Sequence, residues 1–132
     1  MIGVLVDHNI ERHGQLLWGQ FTPADWQGMQ VSTFWSLIDV GLVASATDHI
    51  IWQYCQAHSL LLLTANRNER GDDSLQAVIE HLGDIDSLPV LTLANPNRVL
   101  ADAMYRELCS YRIADVALTL ESVRGTGRLF IP

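Results

Sequence analysis

Residues 60–73, LLLLTANRNERGDD, decide how the chain is read. Leu60 to Leu63 with Thr64 form an apolar run too short for a typical helix and closed by a polar stretch, the pattern of a strand buried on both faces. A strand of that kind needs cover on each side, and parallel neighbours need a crossover, usually a helix. After Thr64 the chain turns polar, with amides at Asn66 and Asn68 and acids at Glu69, Asp72 and Asp73. Fold class follows from what flanks this run, and function from what lies at its exit.

Working outward, residues 47–58 read as a helix: Ser45-Ala46-Thr47-Asp48 fits the capping-box pattern, and Ile51, Cys55 and His58 recur at helical spacing. Residues 2–6 are a β-branched apolar run ending at Asp7, a second doubly buried strand, and residues 10–21 carry helical spacing after it. Thr22-Pro23-Ala24-Asp25 is a turn with Pro23 placed for the first position of a short helix. Residues 29–35 alternate as a strand. Downstream, residues 74–82 form a helix with Leu75, Val78, Ile79 and Leu82 on its apolar face, and residues 89–93 a strand that tolerates Pro89 at its first position. Asn97 is suited to cap a helix running toward Tyr111. Residues 114–120 are apolar without a decisive period. Gly125-Thr126-Gly127 marks a turn, and residues 128–131 a terminal edge strand.

Strands alternating with helices predict an α/β fold, a three-layer sandwich with a mainly parallel sheet of about 4–5 strands. The 132 residues fit one domain, 1–132. Composition narrows the function. The chain has 15 acids against eight bases, a net charge of −7, and all eight bases are arginine. Such a surface lacks the broad positive field of a nucleic-acid-binding protein, so any nucleic acid must be held locally, through a metal or a few arginines. No run approaches the roughly 18–20 apolar residues of a spanning helix, and residues 1–7 lack the basic start of a secretory signal, so no membrane association and a cytoplasmic location are expected. Cys55 and Cys109 are isolated and read as buried thiols rather than a disulfide or a metal site. Trp18, Trp35 and Trp52 read as core or interface.

Ligands of parallel α/β sheets lie at the carboxyl ends of the strands, beside the point where strand order reverses. That singles out Asp7, residues 64–73 and Asn95. No GxGxxG or GxxxxGK[ST] signature occurs, which removes dinucleotide and P-loop chemistry. Each acid has an ordinary structural employment. Asp7 or Asn9 can cap the helix that follows, Asp48 can serve as the carboxylate of a capping box, and Asp72 and Asp73 suit the start of the next helix. His8 and His49 each follow a key aspartate, but neighbouring helical residues point in different directions.

Taken together, LVDHNI (residues 5–10) and ATDHIIWQYCQAHSLLLLTANRN (residues 46–68) resemble the short PIN-like proteins of the Mut7-C and DUF5615 type, whose pattern is similar to LLDENL followed by SDEEIL…A…LLTRDxDF. The resemblance covers residues 1 to 70. It implies a divalent-metal-dependent ribonuclease using Mg²⁺ or Mn²⁺, with Asp7 and Asp48 matching the first two family acids. The Thr-x-Asp-x-Asp of the third strand falls on Thr64, Asn66 and Asn68, so two family carboxylates are amides here. Asp7, Asp48, Asn66 and Asn68 are thus the candidate catalytic residues, and Asp7, Asp48 and Asp73 the candidate metal ligands. Glu69, Asp72 or Asp73 could restore the missing charge, and Arg67 could hold a phosphate as a planar fork or extend into solvent. Each carboxylate replaced by an amide removes a negative charge, which favours one loosely held ion over two. The resemblance also implies RNA as substrate and a toxin-like role beside an antitoxin partner, or a homodimer. A second reading from the same residues is a degenerate PIN-like module that acts through a protein partner, which an exposed apolar helix face containing Trp18 or Trp52 would favour.

Overall fold

The computed structural model describes residues 1–67 and 74–132; Asn68, Glu69, Asp72 and Asp73 lie outside the described residues. The apolar run at its centre is β3, Leu60–Thr64, buried along its whole length. It lies beside β1, Ile2–Val6, which is equally buried, and the other strands are β2 (Val31–Ser36), β4 (Val90–Leu93) and β5 (Arg128–Ile131). The five form one sheet in the order β2-β1-β3-β4-β5, and every pairing is parallel. β5 is an edge strand, as expected, entered through Gly125 and Gly127 at φ of 81° and 79°, a backbone region glycine adopts without penalty.

Successive strand residues point to opposite faces, and the two faces acquire separate cores. On one, Val4, Val6, Leu61, Leu63, Leu91 and Leu93 meet Leu17, Trp26, Val99, Cys109 and Ile113. These come from α1 (Glu11–Trp18), α2 (Pro23–Gly28), α5 (Pro96–Ala101) and α6 (Ala103–Leu118). On the other, Leu5, Leu62 and Val90 meet Ile51, Trp52, Cys55, Leu75 and Val78 from α3 (Asp48–Ala57) and α4 (Leu75–Leu82). The three-layer α/β architecture expected from the alternation is therefore present. Gly14 lets α1 approach β1, since a Cβ there would stand 2.7 Å from a Val6 methyl. Both cysteines are free and buried. No helix among the described residues is long and apolar enough to cross a membrane.

Several boundaries differ from the sequence reading. The helix predicted over 10–21 is a 3₁₀ turn at His8–Ile10 followed by α1, which ends where the Trp26 indole takes the Trp18 carbonyl at 2.7 Å. β2 starts at Val31 rather than residue 29 because Met29 closes α2 and Gln30 sits at φ 70°. Thr47, not Ser45, caps α3, its hydroxyl accepting from the Ile50 N–H, and Asp48 is the first helical residue. The helix expected to run from Asn97 to Tyr111 is capped by Asn95 and divides at Asp102, whose extended backbone ends α5 while its carboxylate caps α6. The ambiguous residues from 114 onward continue α6 to Leu118, and α7 (Leu120–Val123) follows. Trp26, which sequence reasoning passed over, is wholly buried, whereas Trp35 is 40% exposed.

Candidate functional site

Strand order reverses at β1: the chain moves from β1 to β2 on one side and returns to β3 on the other. The crevice between the carboxyl ends of β1 and β3 is the place where an α/β sheet offers its strand-end loops to a ligand. Asp7 extends the ladder past β1, its N–H donating to the Leu63 carbonyl at 2.9 Å, so its side chain emerges beside Thr64.

Thr64 is wholly buried and links the two strand exits. Its hydroxyl donates to Asp7 Oδ2 at 2.8 Å and accepts the Asn66 N–H at 3.0 Å. The other Asp7 oxygen accepts the His8 N–H at 2.8 Å, so Asp7 caps the short turn after β1 and faces β3 at once. The Asn66 side-chain amide donates to Asp48 Oδ2 at 3.1 Å. A continuous hydrogen-bonded path therefore runs Asp7, Thr64, Asn66, Asp48. Asp7, Asp48 and Asn66 line one cleft of about 380 Å³, with His8 and Asn9 on its rim and Ala46 and Ile51 on its apolar side.

Charge in the cleft is uneven. Burial pushes the Asp48 carboxyl above the ordinary carboxylate value; the Asn66 hydrogen bond opposes this, the charge of Asp7 reinforces it, and the Leu75 N–H and Arg128 oppose it. The Leu75 amide belongs to the first turn of α4, where free N–H groups favour an anion. Beneath the cleft, burial and then the Asp7 charge raise the Cys55 thiol to about 12, which keeps it protonated and unreactive.

Arg128 is the residue that sequence reasoning missed. It begins β5, yet its guanidinium reaches the Asn66 carbonyl at 2.8 Å and the buried Thr92 hydroxyl at 2.6 Å, and its Nε reaches Gln76 of α4 at 3.0 Å. A strand advances about 3.3 Å per residue, so an extended arginine side chain spans the two positions separating Arg128 from the level of Thr92, which pairs with Phe130. One signal was present: Thr92 interrupts an otherwise apolar strand, and a buried hydroxyl needs a partner.

The remaining candidates fall as follows. Arg67 is exposed; its guanidinium lies over the Phe130 ring at 5.4 Å and donates to the Ala94 carbonyl. His8 pairs with Glu11 at 3.4 Å and His49 is exposed on α3. Ser74, rather than an aspartate, caps α4. Asn68 and Asp73, with Glu69 and Asp72, fall outside the described residues. Among the described residues no group of three or more His, Cys, Asp or Glu side chains is arranged to hold a metal; the cleft brings together two carboxylates. In comparisons with protein-family models, curated proteins and solved structures, none matches this chain.

Proposed function

We propose that the cleft is a site for one divalent cation, Mg²⁺ or Mn²⁺, and that the protein is a PIN-like metal-dependent ribonuclease acting on single-stranded RNA. The observation that carries this reading is the convergence of Asp7 and Asp48 on one cleft, joined through Thr64 and Asn66, at the reversal of strand order. The donor chemistry fits a single hard ion, since Mg²⁺ takes oxygen ligands and is commonly held by one or two carboxylates, with water and phosphate completing its shell. When bound, such an ion supplies Lewis-acid activation of water and neutralises charge on a phosphodiester. The protein's own residues do the rest: Asp7 and Asp48 bind, Thr64 fixes the rotamer of Asp7, and Asn66 holds Asp48 in place. Arg128 anchors the backbone of Asn66 from below. Isothermal titration with Mn²⁺ is expected to give saturable binding that Asp7→Ala abolishes, with single-stranded RNA cut by the native protein only when Mn²⁺ or Mg²⁺ is present. Absence of both effects at high protein concentration rejects the reading.

A second reading, a module that acts through a protein partner, is favoured by α6. Trp52 is buried and Trp18 half-buried, so neither forms an exposed apolar face. Instead Met104, Leu108, Tyr111 and Leu118 lie along one side of α6 and are 79%, 60%, 53% and 55% exposed. A helix apolar on two sides is normally covered on both. Sedimentation across a concentration series distinguishes this reading: self-association or partner capture that Leu108→Glu removes, together with inert RNA, would favour it.

A further inference from the structure

A second cleft, of about 300 Å³, opens on the opposite side of the β1 exit, between α1 and the carboxyl end of β2. Trp18 and Phe34 line it together with two carboxylates, Glu11 and Asp39, and the Gln15 amide. The rings are held firmly: Trp18 stacks on Trp26 with centroids 5.5 Å apart and planes within 7°, and Phe34 tilts against Trp18 at 5.4 Å. Neither carboxylate is exhausted. Asp39 accepts the Ser36 N–H through Oδ2 at 2.9 Å, which fixes it at the turn after β2, and Glu11 meets His8 through Oε1 at 3.4 Å, its one side-chain partner among the described residues.

The two clefts share a wall. Val6 lines the aromatic one and Asp7, the next residue, lines the acidic one; His8 stands in the acidic cleft and pairs with Glu11 in the aromatic one. A ligand with a phosphodiester at Asp7 and Asp48 would therefore bring an adjacent base to the aromatic side. Unpaired bases are recognised by stacking on aromatic rings and by hydrogen bonds along their edges. Ionised carboxylates only accept hydrogen bonds, so this cleft selects a base whose edge donates. Guanine, with neighbouring N1–H and N2–H₂ groups, matches a carboxylate with two oxygens, and its O6 matches the donor side of the Gln15 amide. Uracil, with one N–H between two carbonyls, sets acceptors against the carboxylates.

We propose that the cleft formed by Trp18, Phe34, Glu11 and Asp39 is a nucleobase-binding slot that favours guanine over uracil and sets the sequence preference of the neighbouring acidic cleft. The sequence-preference half of this inference rests on the acidic cleft acting on RNA; the slot itself does not. The test uses nucleosides, which carry no phosphate, and the intact protein without added metal. Guanosine is expected to quench tryptophan fluorescence saturably and to bind at least five-fold more tightly than uridine. Glu11→Gln and Asp39→Asn should each erase most of that preference. Should Asp39→Asn fail to fold, Glu11→Gln on the first turn of α1 carries the test, with Gln15→Ala as a second surface variant. Equal binding of guanosine and uridine, guanosine binding indifferent to Glu11→Gln, or tighter binding of choline than of guanosine overturns the proposal, the last because it would mark a cage for organic cations. Guanosine-selective binding by a protein that leaves RNA uncut in Mn²⁺ removes the nuclease and leaves the slot. Cleavage without nucleoside selectivity does the reverse.

Discussion

The same strands build two unlike faces. Toward α1, α2, α5 and α6 the sheet presents Leu61, Leu63, Leu91, Leu93 and Ile131, all buried and apolar. Toward α3 and α4 it presents Leu62 and Val90, and then, at the carboxyl end, buried Thr64 and Thr92, the latter hydrogen-bonded by Arg128. Because alternate residues of a strand face opposite ways, adjacent residues such as Leu63 and Thr64 serve different ends. One face holds the molecule together through packing, and the other spends part of its core on hydrogen bonds that position Asp7, Asn66 and Asp48.

That contrast can be broken by substitution. Leu63→Ala, on the apolar face, is expected to cost about 2–5 kcal/mol in urea unfolding, since it removes a fully buried side chain and leaves a cavity. Thr64→Val, one residue along, nearly preserves volume but strips partners from Asp7 and from the Asn66 N–H; its expected cost is roughly 1–3 kcal/mol. A cost near zero for Thr64→Val would mean that the polar end is not held by hydrogen bonds. Arg128→Met should cost less, about 1–2 kcal/mol, because the half-buried site lets water replace part of what is lost. Its sharper signature is faster amide exchange at Asn66 with little change on the apolar face.

The smallest effect concerns pH. Burial, reinforced by Asp7, holds the Asp48 carboxyl above its ordinary value of 3.8, so the folded chain binds that proton more tightly than the unfolded chain. Stability from this proton is therefore full below 3.8 and is lost as pH rises through the raised folded value. Asp48→Asn, uncharged throughout, should accordingly raise Tm at neutral pH in metal-free buffer, and the gain should vanish in acid below the ordinary carboxylate range. A gain that persists unchanged in acid would show that Asp48 is not strained by its surroundings.

Much of the architecture was legible along the chain. The apolar runs at 2–6 and 60–64 are strands buried on both faces, short runs closed by polar residues as doubly covered parallel strands are. The starts of the helices near residues 23, 47 and 74 were legible through chemistry that acts within three residues, although the caps of the last two are Thr47 and Ser74 rather than Ser45 and an aspartate. The break at Asp102 was not legible, since apolar spacing continues through it and only the extended backbone reveals the division. Nor was the exposed side of α6, because Met104, Leu108 and Tyr111 have the same composition as a buried stripe.

For the site, the sequence by itself determined the residue types and their places at strand and helix ends: Asp7 after the first strand, Asp48 on the first turn of α3, and amides after β3. Local pattern reaches no further, because capping, turns and periodicity operate over a few residues. Asp7 and Thr64 are 57 residues apart and Asn66 and Arg128 are 62 apart. Only the order β2-β1-β3-β4-β5 decided that these groups meet. Parallel strands align their carboxyl ends, and the reversal at β1 leaves a crevice between the exits of β1 and β3. Which groups partner across that crevice is a property of the sheet, and no stretch of chain contains it.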